Sequence, residues 1–494
     1  MKKVSLTLSI LFCVIVALTA TAEDPIVIAS KNFPESFILA EMMSQILESE
    51  GYTVERKFNL AGTKVCFDAL VAGEVDIYPE YTGTVLRVIL GTEEELPLER
   101  INAELEPQNV RFLQPFGFNN SYAITVTSEI ASRRNLKNVS DLVNQNDLKV
   151  FFSHEFIERM DGWPGLREMY GFDWQPVGIE HALAYRAMAD GEVDATDGYT
   201  TDGEIDHFDL KILEDDKGFF PKYFGIPLVR NGLDPQVLKI LDRLANTLDD
   251  RTMTALNAQA MLGEDIGVVA QQHLATLEVK TDYVEQSVIA ETLWATLRHL
   301  QLTGISLGAA VLIGLLISIL VFRHESVSRP VVYFVGLLQT IPSIALLALM
   351  IPLFGTGIVP AIIALFLYSL LPIIRNSVTA LSSVDPVLLR VATGMGLNRI
   401  ETLRFVYIPL AMPAILAGIR TSAIICIGTA TLAAYIGAGG LGDFIVQGLA
   451  LDDTGLIIQG AASASILAIL VELMFEGVEK LTVPKHLTVL NQTT

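Results

Sequence analysis

The hydrophobic pattern changes character near residue 290 of the 494-residue chain. Before that point, short apolar runs of strand length alternate with amphipathic stretches. IVIA (Ile26 to Ala29), YAITV (Tyr122 to Val126) and LKVFF (Leu148 to Phe152) read as strands. FILAEMMSQILESEGY carries apolar residues at helical spacing, with Gly51 as its stop. This alternation predicts α/β lobes built on mainly parallel sheets. Beyond residue 290 the runs lengthen. Leu300 to Phe322 is uncharged and long enough to cross a bilayer. Pro330 to Ile374 is also uncharged and suits two crossings, broken near PLFGTGIVP (Pro352 to Pro360). Further spans fall within Pro413 to Tyr435 and Thr454 to Val471. The expectation is a soluble part over 23–280, a linker over 281–299, and an all-α membrane domain of about five helices over 300–485.

The soluble part contains an internal repeat. CFDALVAGEVDIYPEYTGT (Cys66 to Thr84) aligns with AYRAMADGEVDATDGYTTD (Ala184 to Asp202) at a constant offset of 118. GEVD is identical in both copies, and a Tyr-Thr pair follows at the same distance: Tyr81-Thr82 and Tyr199-Thr200. Two lobes with one helix-turn-strand unit each account for this, the second lobe lying at about 128–222. Each Tyr-Thr pair then falls at the carboxyl end of a strand, where open α/β sheets bind ligands. DIYPEYTGT itself reads as a strand running into a loop, with Tyr78 in the core and Tyr81 facing a cleft.

Charge follows the same division. Residues after 290 hold 10 acidic and 10 basic side chains, so the first 290 carry the whole net charge of −22 (24 basic against 46 acidic). An acidic soluble part lacks the basic surface that nucleic acid requires. The start, MKKVSLTLSILFCVIVALTATAED, pairs Lys2 and Lys3 with an uncharged run and the small residues Ala20-Thr21-Ala22. It reads as a signal peptide over 1–22. Arg323, His324 and Arg329 follow the first span; Arg375, Arg390, Arg399 and Arg404 follow the third; Lys480 and Lys485 follow the fifth. The loop between spans four and five carries Asp443, Asp452 and Asp453 instead. The positive-inside rule places the basic loops in the cytoplasm and the lobes outside. Cys66 and Cys426 lie in different regions, and no metal or redox motif occurs.

The loop after span three, 383–410, opens with Asp385-Pro386, a good helix start. Leu388, Leu389, Val391 and Ala392 would form an apolar face, Gly394 and Gly396 would end it, and Pro409 and Pro413 would mark re-entry into the membrane. A short helix of this kind suits docking in a groove of another protein, or a surface helix on a solvated loop. Val391-Ala392-Thr393-Gly394-Met395-Gly396 with Ile408-Pro409-Leu410 resembles the coupling loop of ABC importer permeases, with Val at the usual Glu position. GTATLAAYIGAGGLG (Gly428 to Gly442) resembles the permeases of the osmoprotectant-uptake group. The resemblance implies a homodimer of membrane domains in the bacterial inner membrane, resting on separate ATPase subunits. The chain carries no GxxxxGK[ST] phosphate loop, so ATP would be used by the partner and no cofactor by this chain.

The soluble part resembles the glycine betaine/choline/carnitine binding proteins of the same importer family. SKNFPES (Ser30 to Ser36), AGTKVCFDAL, DIYPEYTGT, NNSYA (Asn119 to Ala123), GYTTDG (Gly198 to Gly203) and PKYFGIPLVR (Pro221 to Arg230) carry it. The resemblance implies a two-lobed periplasmic binding fold of type II-like form that closes on its ligand. It assigns Tyr81, Tyr122, Tyr199 and Tyr223 to an aromatic cage for a quaternary ammonium. It assigns Lys31, Thr84 and Arg159 to a carboxylate end. Phe224 competes with Tyr223 for the fourth wall, and Pro34 and Ala61 stand where Thr and Gly are common. The implied cargo is glycine betaine, choline, carnitine or proline betaine. Ergothioneine, a polar amino acid, and a membrane-anchored osmolyte sensor are the alternatives.

Overall fold

The computed structural model describes residues 25–482 apart from 61, 93, 286 and 452. The signal-like segment 1–22, Ala61, Asp452 and Lys485 lie outside the described residues. The first sheet has the order β2-β1-β3-β10-β4, formed by β1 (Ile26–Lys31), β2 (Val54–Leu60), β3 (Ile77–Tyr81), β4 (Val110–Phe112) and β10 (Gly225–Arg230). A second sheet has the order β8-β5-β9, formed by β5 (Tyr122–Thr127), β8 (Ala195–Tyr199) and β9 (Leu210–Leu213). Beside it run β6 (Phe151–Ser153) and β7 (Val177–Ile179) as a parallel pair.

The sheets are mixed rather than mainly parallel. β1 pairs in parallel with β2 and β3, but β10 runs antiparallel to both β3 and β4. β5 is antiparallel to β8 and β9. The reason is the chain path: β5 leaves the first lobe and β10 returns to it, so each enters its sheet against the local direction. The second lobe therefore begins with β5, earlier than residue 128. The two crossing segments pair with each other at Asn119 and Phe224, which fixes the hinge.

The repeat is real in three dimensions. Helix α1 (Pro34–Ser49) covers the first sheet, and α2 (Gly62–Val71) and α3 (His181–Ala189) occupy equivalent positions in the two lobes. Gly73 and Gly191, which end the two units, both have φ +76°, a conformation glycine adopts without steric cost. Asp76 Oδ2 accepts from Val27 N at 2.8 Å, and Asp194 Oδ2 accepts from Lys149 N at 2.8 Å. The same aspartate thus ties each repeat strand to its neighbour. Tyr78 is fully buried, as expected. The segment after Tyr81 is not a loop: Thr82–Thr84 starts a helical turn that continues as a π-helix, Val85–Ile89.

In the membrane domain four helices are long and apolar enough to cross a bilayer, and a bent pair raises the number to five. The first, Val288–Val321, starts twelve residues before Leu300 (300 − 288), so much of the expected linker is helix. Glu291, Arg298 and His299 interrupt the apolar run without interrupting the backbone. The second is the pair Glu325–Thr340 and Ser343–Phe354, bent by 95° at Ile341-Pro342. The third, Ile358–Ser382, continues through Arg375. The helix containing Pro409 and Pro413 begins at Arg399, not at re-entry near the prolines. A π-turn over Leu403–Tyr407 precedes Pro409 and loosens the ladder where its missing N–H and ring would clash. Small residues bring the helices together: the Ser422 hydroxyl donates to Ser369 O at 2.6 Å.

Candidate ligand-binding site

The second lobe builds half of an aromatic cluster by register alone. Tyr122 on β5 lies directly opposite Tyr199 on β8, and their ring centroids are 5.1 Å apart. Tyr223, in the returning crossover just before β10, meets Tyr122 edge-on at 5.7 Å. Tyr81 ends β3 of the first lobe. Phe33, the residue before α1, spans the lobes, with its centroid 6.2 Å from Tyr81 and 6.0 Å from Tyr199. These side chains line one cavity with Lys31, Thr84, Asn120, Glu155 and Arg159. All seven cage and carboxylate-end candidates therefore meet in one place. Tyr223, not Phe224, is on the wall.

The cavity is tight, about 30 Å³. Two cations press on its rings: Lys31 Nζ lies 5.2 Å from the Tyr81 centroid and Arg159 Cζ 5.4 Å from that of Tyr122. Neither is a bare charge. Lys31 is paired with buried Glu80, whose other oxygen accepts from the Tyr78 hydroxyl. Arg159 donates Nε and Nη2 to Asp161 at 2.7 and 2.5 Å, and Nη1 to Glu155 at 2.7 Å. Bidentate pairing of this kind fixes the guanidinium plane. Asp161 also accepts from the Tyr223 hydroxyl at 2.8 Å. Burial pushes the Asp161 carboxyl up, but Arg159 and Tyr223 outweigh it and hold it below the usual range.

Beneath the cage sits Glu35, near the start of α1 and 2% exposed. Its carboxylate accepts from the Tyr81 hydroxyl at 2.6 Å, Asn120 Nδ2 at 2.8 Å, Thr201 Oγ1 at 2.6 Å and Asn257 Nδ2 at 2.9 Å. Those donors come from the first lobe, the crossover, the second lobe and the helix Asp250–Met261. Burial raises the Glu35 carboxyl, and the four hydrogen bonds oppose that rise. Glu35, Phe33 and Asn120 lie inside the motifs SKNFPES and NNSYA but were not singled out by sequence reasoning. Asn120 Oδ1 is buried without a hydrogen-bond partner among the described residues.

Behind Tyr199 stands His181, at the start of α3, with ring centroids 4.9 Å apart. Its Nε2 lies 3.4 Å from Asp202 Oδ2 and its Nδ1 4.0 Å from Asp197 Oδ2. Burial alone would lower the imidazolium pKa. Asp202, Asp197 and Glu204 outweigh that and push it up to about 9.

A second cavity of about 430 Å³ lies between the lobes and the membrane domain. Phe33, Glu155 and Tyr199 line both cavities. Tyr435, Val446 and Leu449 close the far side of the larger one. Phe33 and Tyr199 thus stand between the cage and the membrane-facing space.

On the other side of the membrane domain, α4 (Pro386–Gly394) is capped by Asp385, whose carboxylate accepts from Val387 N at 2.7 Å. Val391 is exposed while Ala392 is buried, Gly396 turns the chain at φ +82°, and Pro409 lies in the following long helix. Val387, Leu388 and Met395 are exposed beside Val391.

A two-lobed receptor joined to a helical permease defines the class: a solute receptor fused to its own membrane channel. The comparisons agree domain by domain. Residues 24–276, just over half of the chain, match the substrate-binding domain of the ABC-type glycine betaine transport system, and the chain belongs to that family. Residues 310–485 match the inner membrane component of binding-protein-dependent transport systems. The glycine betaine/carnitine/choline transport system permease protein of Bacillus subtilis (strain 168) is 44% identical over 197 residues, 40% of this chain and 91% of that protein. The ergothioneine transport permease/ergothioneine binding protein of Helicobacter pylori (strain G27) is 33% identical over 268 residues, 52% of this chain and 48% of that protein. A solved glycine betaine/carnitine/choline ABC transporter structure covers 51% of this chain and 99% of its own, at 29% identity and a TM-score of 0.45.

Proposed function

We propose that the chain captures a quaternary-ammonium solute outside the cell and conducts it inward as the receptor and permease subunit of an ABC importer. The observation that carries this reading is the convergence of Tyr81, Tyr122, Tyr199 and Tyr223 from both lobes and the hinge on one cavity. A quaternary ammonium offers no hydrogen to donate and is attracted to aromatic faces, at about 0.5–2 kcal/mol per contact. Tyr81 and Tyr223 donate their hydroxyls to carboxylates, which enriches the rings and the surroundings in negative charge. Arg159 and Lys31 cover ring faces that an ammonium would take, so capture requires the lobes to part and these cations to swing aside. With Thr84 they can then receive the carboxylate of glycine betaine, carnitine or proline betaine; choline would leave them with their own partners. Release runs past Phe33 and Tyr199 into the membrane-facing cavity.

Two such chains pair to form one pore, with receptors outside and α4 in the cytoplasm. A separate ATPase subunit docks on the exposed Val387, Leu388, Val391 and Met395 and supplies ATP hydrolysis; this chain is not itself an enzyme. A second reading replaces the cargo with ergothioneine, a trimethylated betaine, because the Helicobacter pylori relative also joins permease and binding protein in one chain.

Calorimetric titration of the purified full chain with glycine betaine, choline, carnitine, proline betaine, ergothioneine and glutamine tests the cage. Binding of a trimethylated amine that is lost in Tyr81→Ala supports it. Binding of glutamine alone, or of none of the panel, overturns it.

A further inference from the structure

The larger cavity has two unlike halves. On the membrane side it is lined by Tyr435 and by the apolar Ile344, Val446 and Leu449. On the receptor side stand five carboxylates, Glu35, Glu155, Glu180, Asp202 and Glu204, and no lysine or arginine among the described residues lines it. At about 430 Å³ it has the size of a small-molecule site. The tyrosine cage differs on this point, because Lys31 and Arg159 form part of its wall.

Several of these carboxylates are already engaged. Glu35 takes four donors, and Glu155 pairs with Arg159. Asp202 accepts from Tyr199 N at 2.9 Å and from the Tyr185 hydroxyl, and His181 stands beside it. Glu180, the residue before α3, is different. It is exposed, and its carboxylate makes no ion pair among the described residues. Its charge acts on Tyr435 across the cavity. Asn257, 5% exposed, lines the same space, and its Oδ1 has no hydrogen-bond partner among the described residues. An unpaired negative charge, an aromatic ring, apolar walls and one unused acceptor therefore border a single cavity.

Each of these features suits one class of ligand. A trimethylammonium group needs a negative field, an aromatic face and apolar contacts for its methyls, and no shell of oxygens. A hydroxyl on the same molecule would donate to Asn257 Oδ1. A carboxylate would meet five of its own sign and no lysine or arginine, and a hard metal cation would find too few oxygens on the membrane side. We propose that this cavity is a second binding site, for a quaternary-ammonium cation without a carboxylate, with choline as its type. Glu180 supplies the counter-charge and Tyr435 the ring. Betaines pass through without being held, and choline lodged there blocks their passage while the cage stays occupied. The proposal rests on the quaternary-ammonium reading above for the class of cargo, but the site shares only Phe33, Glu155 and Tyr199 with the cage.

Choline and glycine betaine are titrated into the full chain in lipid nanodiscs, with ionic strength held constant by NaCl, for the wild type, Tyr81→Ala and Tyr122→Ala. The wild type should show two choline sites and one betaine site. Each cage variant should keep the weaker choline site, which should favour choline over glycine betaine at least 10-fold. Glu180→Lys should weaken that site at least 10-fold and leave betaine binding in the cage unchanged. Tyr435→Ala should do the same, and Tyr435→Phe should leave the site intact. Cage variants that bind no choline, or a residual site indifferent to Glu180→Lys, overturn this inference and leave the cage standing. A wild type with one choline site that answers to Glu180→Lys and not to Tyr81→Ala overturns the cage and leaves this site standing. As a second readout, choline should lower the maximal rate of betaine uptake by cells, and Glu180→Lys should abolish that effect; inhibition that saturating betaine removes overturns the inference.

Discussion

The Tyr81 hydroxyl donates to Glu35 at 2.6 Å, and the other oxygen of the same carboxylate accepts from Thr201 in the opposite lobe at 2.6 Å. A wall of the cage and the closure of the lobes therefore share one acceptor. Glu35→Gln puts amide hydrogens where donors already point, and at least one bond on the amide side must be given up. Hydrogen bonds to a charged group contribute about 1.5–3 kcal/mol, so solute affinity should fall roughly 10- to 100-fold. Calorimetry on the variant measures this, and an unchanged Kd would uncouple the carboxylate from closure.

Gly83 is set against the fourth wall. A Cβ there would lie 2.5 Å from Tyr223 Cδ1 and 2.9 Å from Lys222 O. Gly83→Ala must displace the Tyr223 ring or the backbone beneath it, so binding should weaken about 10-fold or more, given contact energies near 1–2 kcal/mol. Tyr223→Ala removes the ring and leaves only the clash with Lys222 O, so a further Gly83→Ala should cost clearly less binding than it does in the wild type. Additive losses would separate the two residues.

His181 sets a pH dependence. Its pKa rises from 6.5 to about 9 on folding. A raised pKa means that the imidazolium stabilises the fold fully below about 6.5 and that this contribution fades as pH climbs through about 9. The Tm of the wild-type protein should drop across that window. His181→Gln should be less stable near neutrality and lose that part of the slope. A parallel slope in the variant would assign the pH dependence to other groups.

Gly394 has open space around it, with nothing within 4 Å of the point where a Cβ would stand. Gly394→Leu should therefore fold and bind solute normally. If the end of α4 contacts the ATPase, uptake should fall by at least an order of magnitude while binding persists. Normal uptake would remove Gly394 from that contact.

The repeat was legible because GEVD and the following Tyr-Thr need no partner outside their own unit. Tyr81 and Tyr199 were legible for the same reason, since strand ends place them, whereas Tyr122 and Tyr223 came only from the resemblance to the binding-protein family. Glu35 was not, because its meaning depends on Asn257, 222 residues away, and on Thr201 across the cleft. The antiparallel strands were missed because they depend on where the chain crosses between lobes, which periodicity does not record. The helix start at Val288 was hidden by Glu291, Arg298 and His299, which lower hydropathy but continue the helix. The partners of Lys31 and Arg159 were half visible: Glu155 and Asp161 are close in sequence, whereas Glu80 reaches Lys31 only through the pairing of β3 with β1.

The receptor ends with the helix Ile266–Thr276 and the first membrane helix begins at Val288. Most of the segment between them stays on the receptor: Val279 is in its core, Thr281 Oγ1 donates to Gln45 at 3.1 Å and the Tyr283 hydroxyl to Asp265 at 2.8 Å. So short a tether keeps each receptor with its own membrane helix and never lets it join a neighbour's queue. Cells that secrete receptors freely can raise capture by making more of them; here the number of hooks is fixed by the number of gates. Supply and throughput are manufactured in one piece, and scarcity of solute can be answered only by making more whole machines or by faster cycling of each.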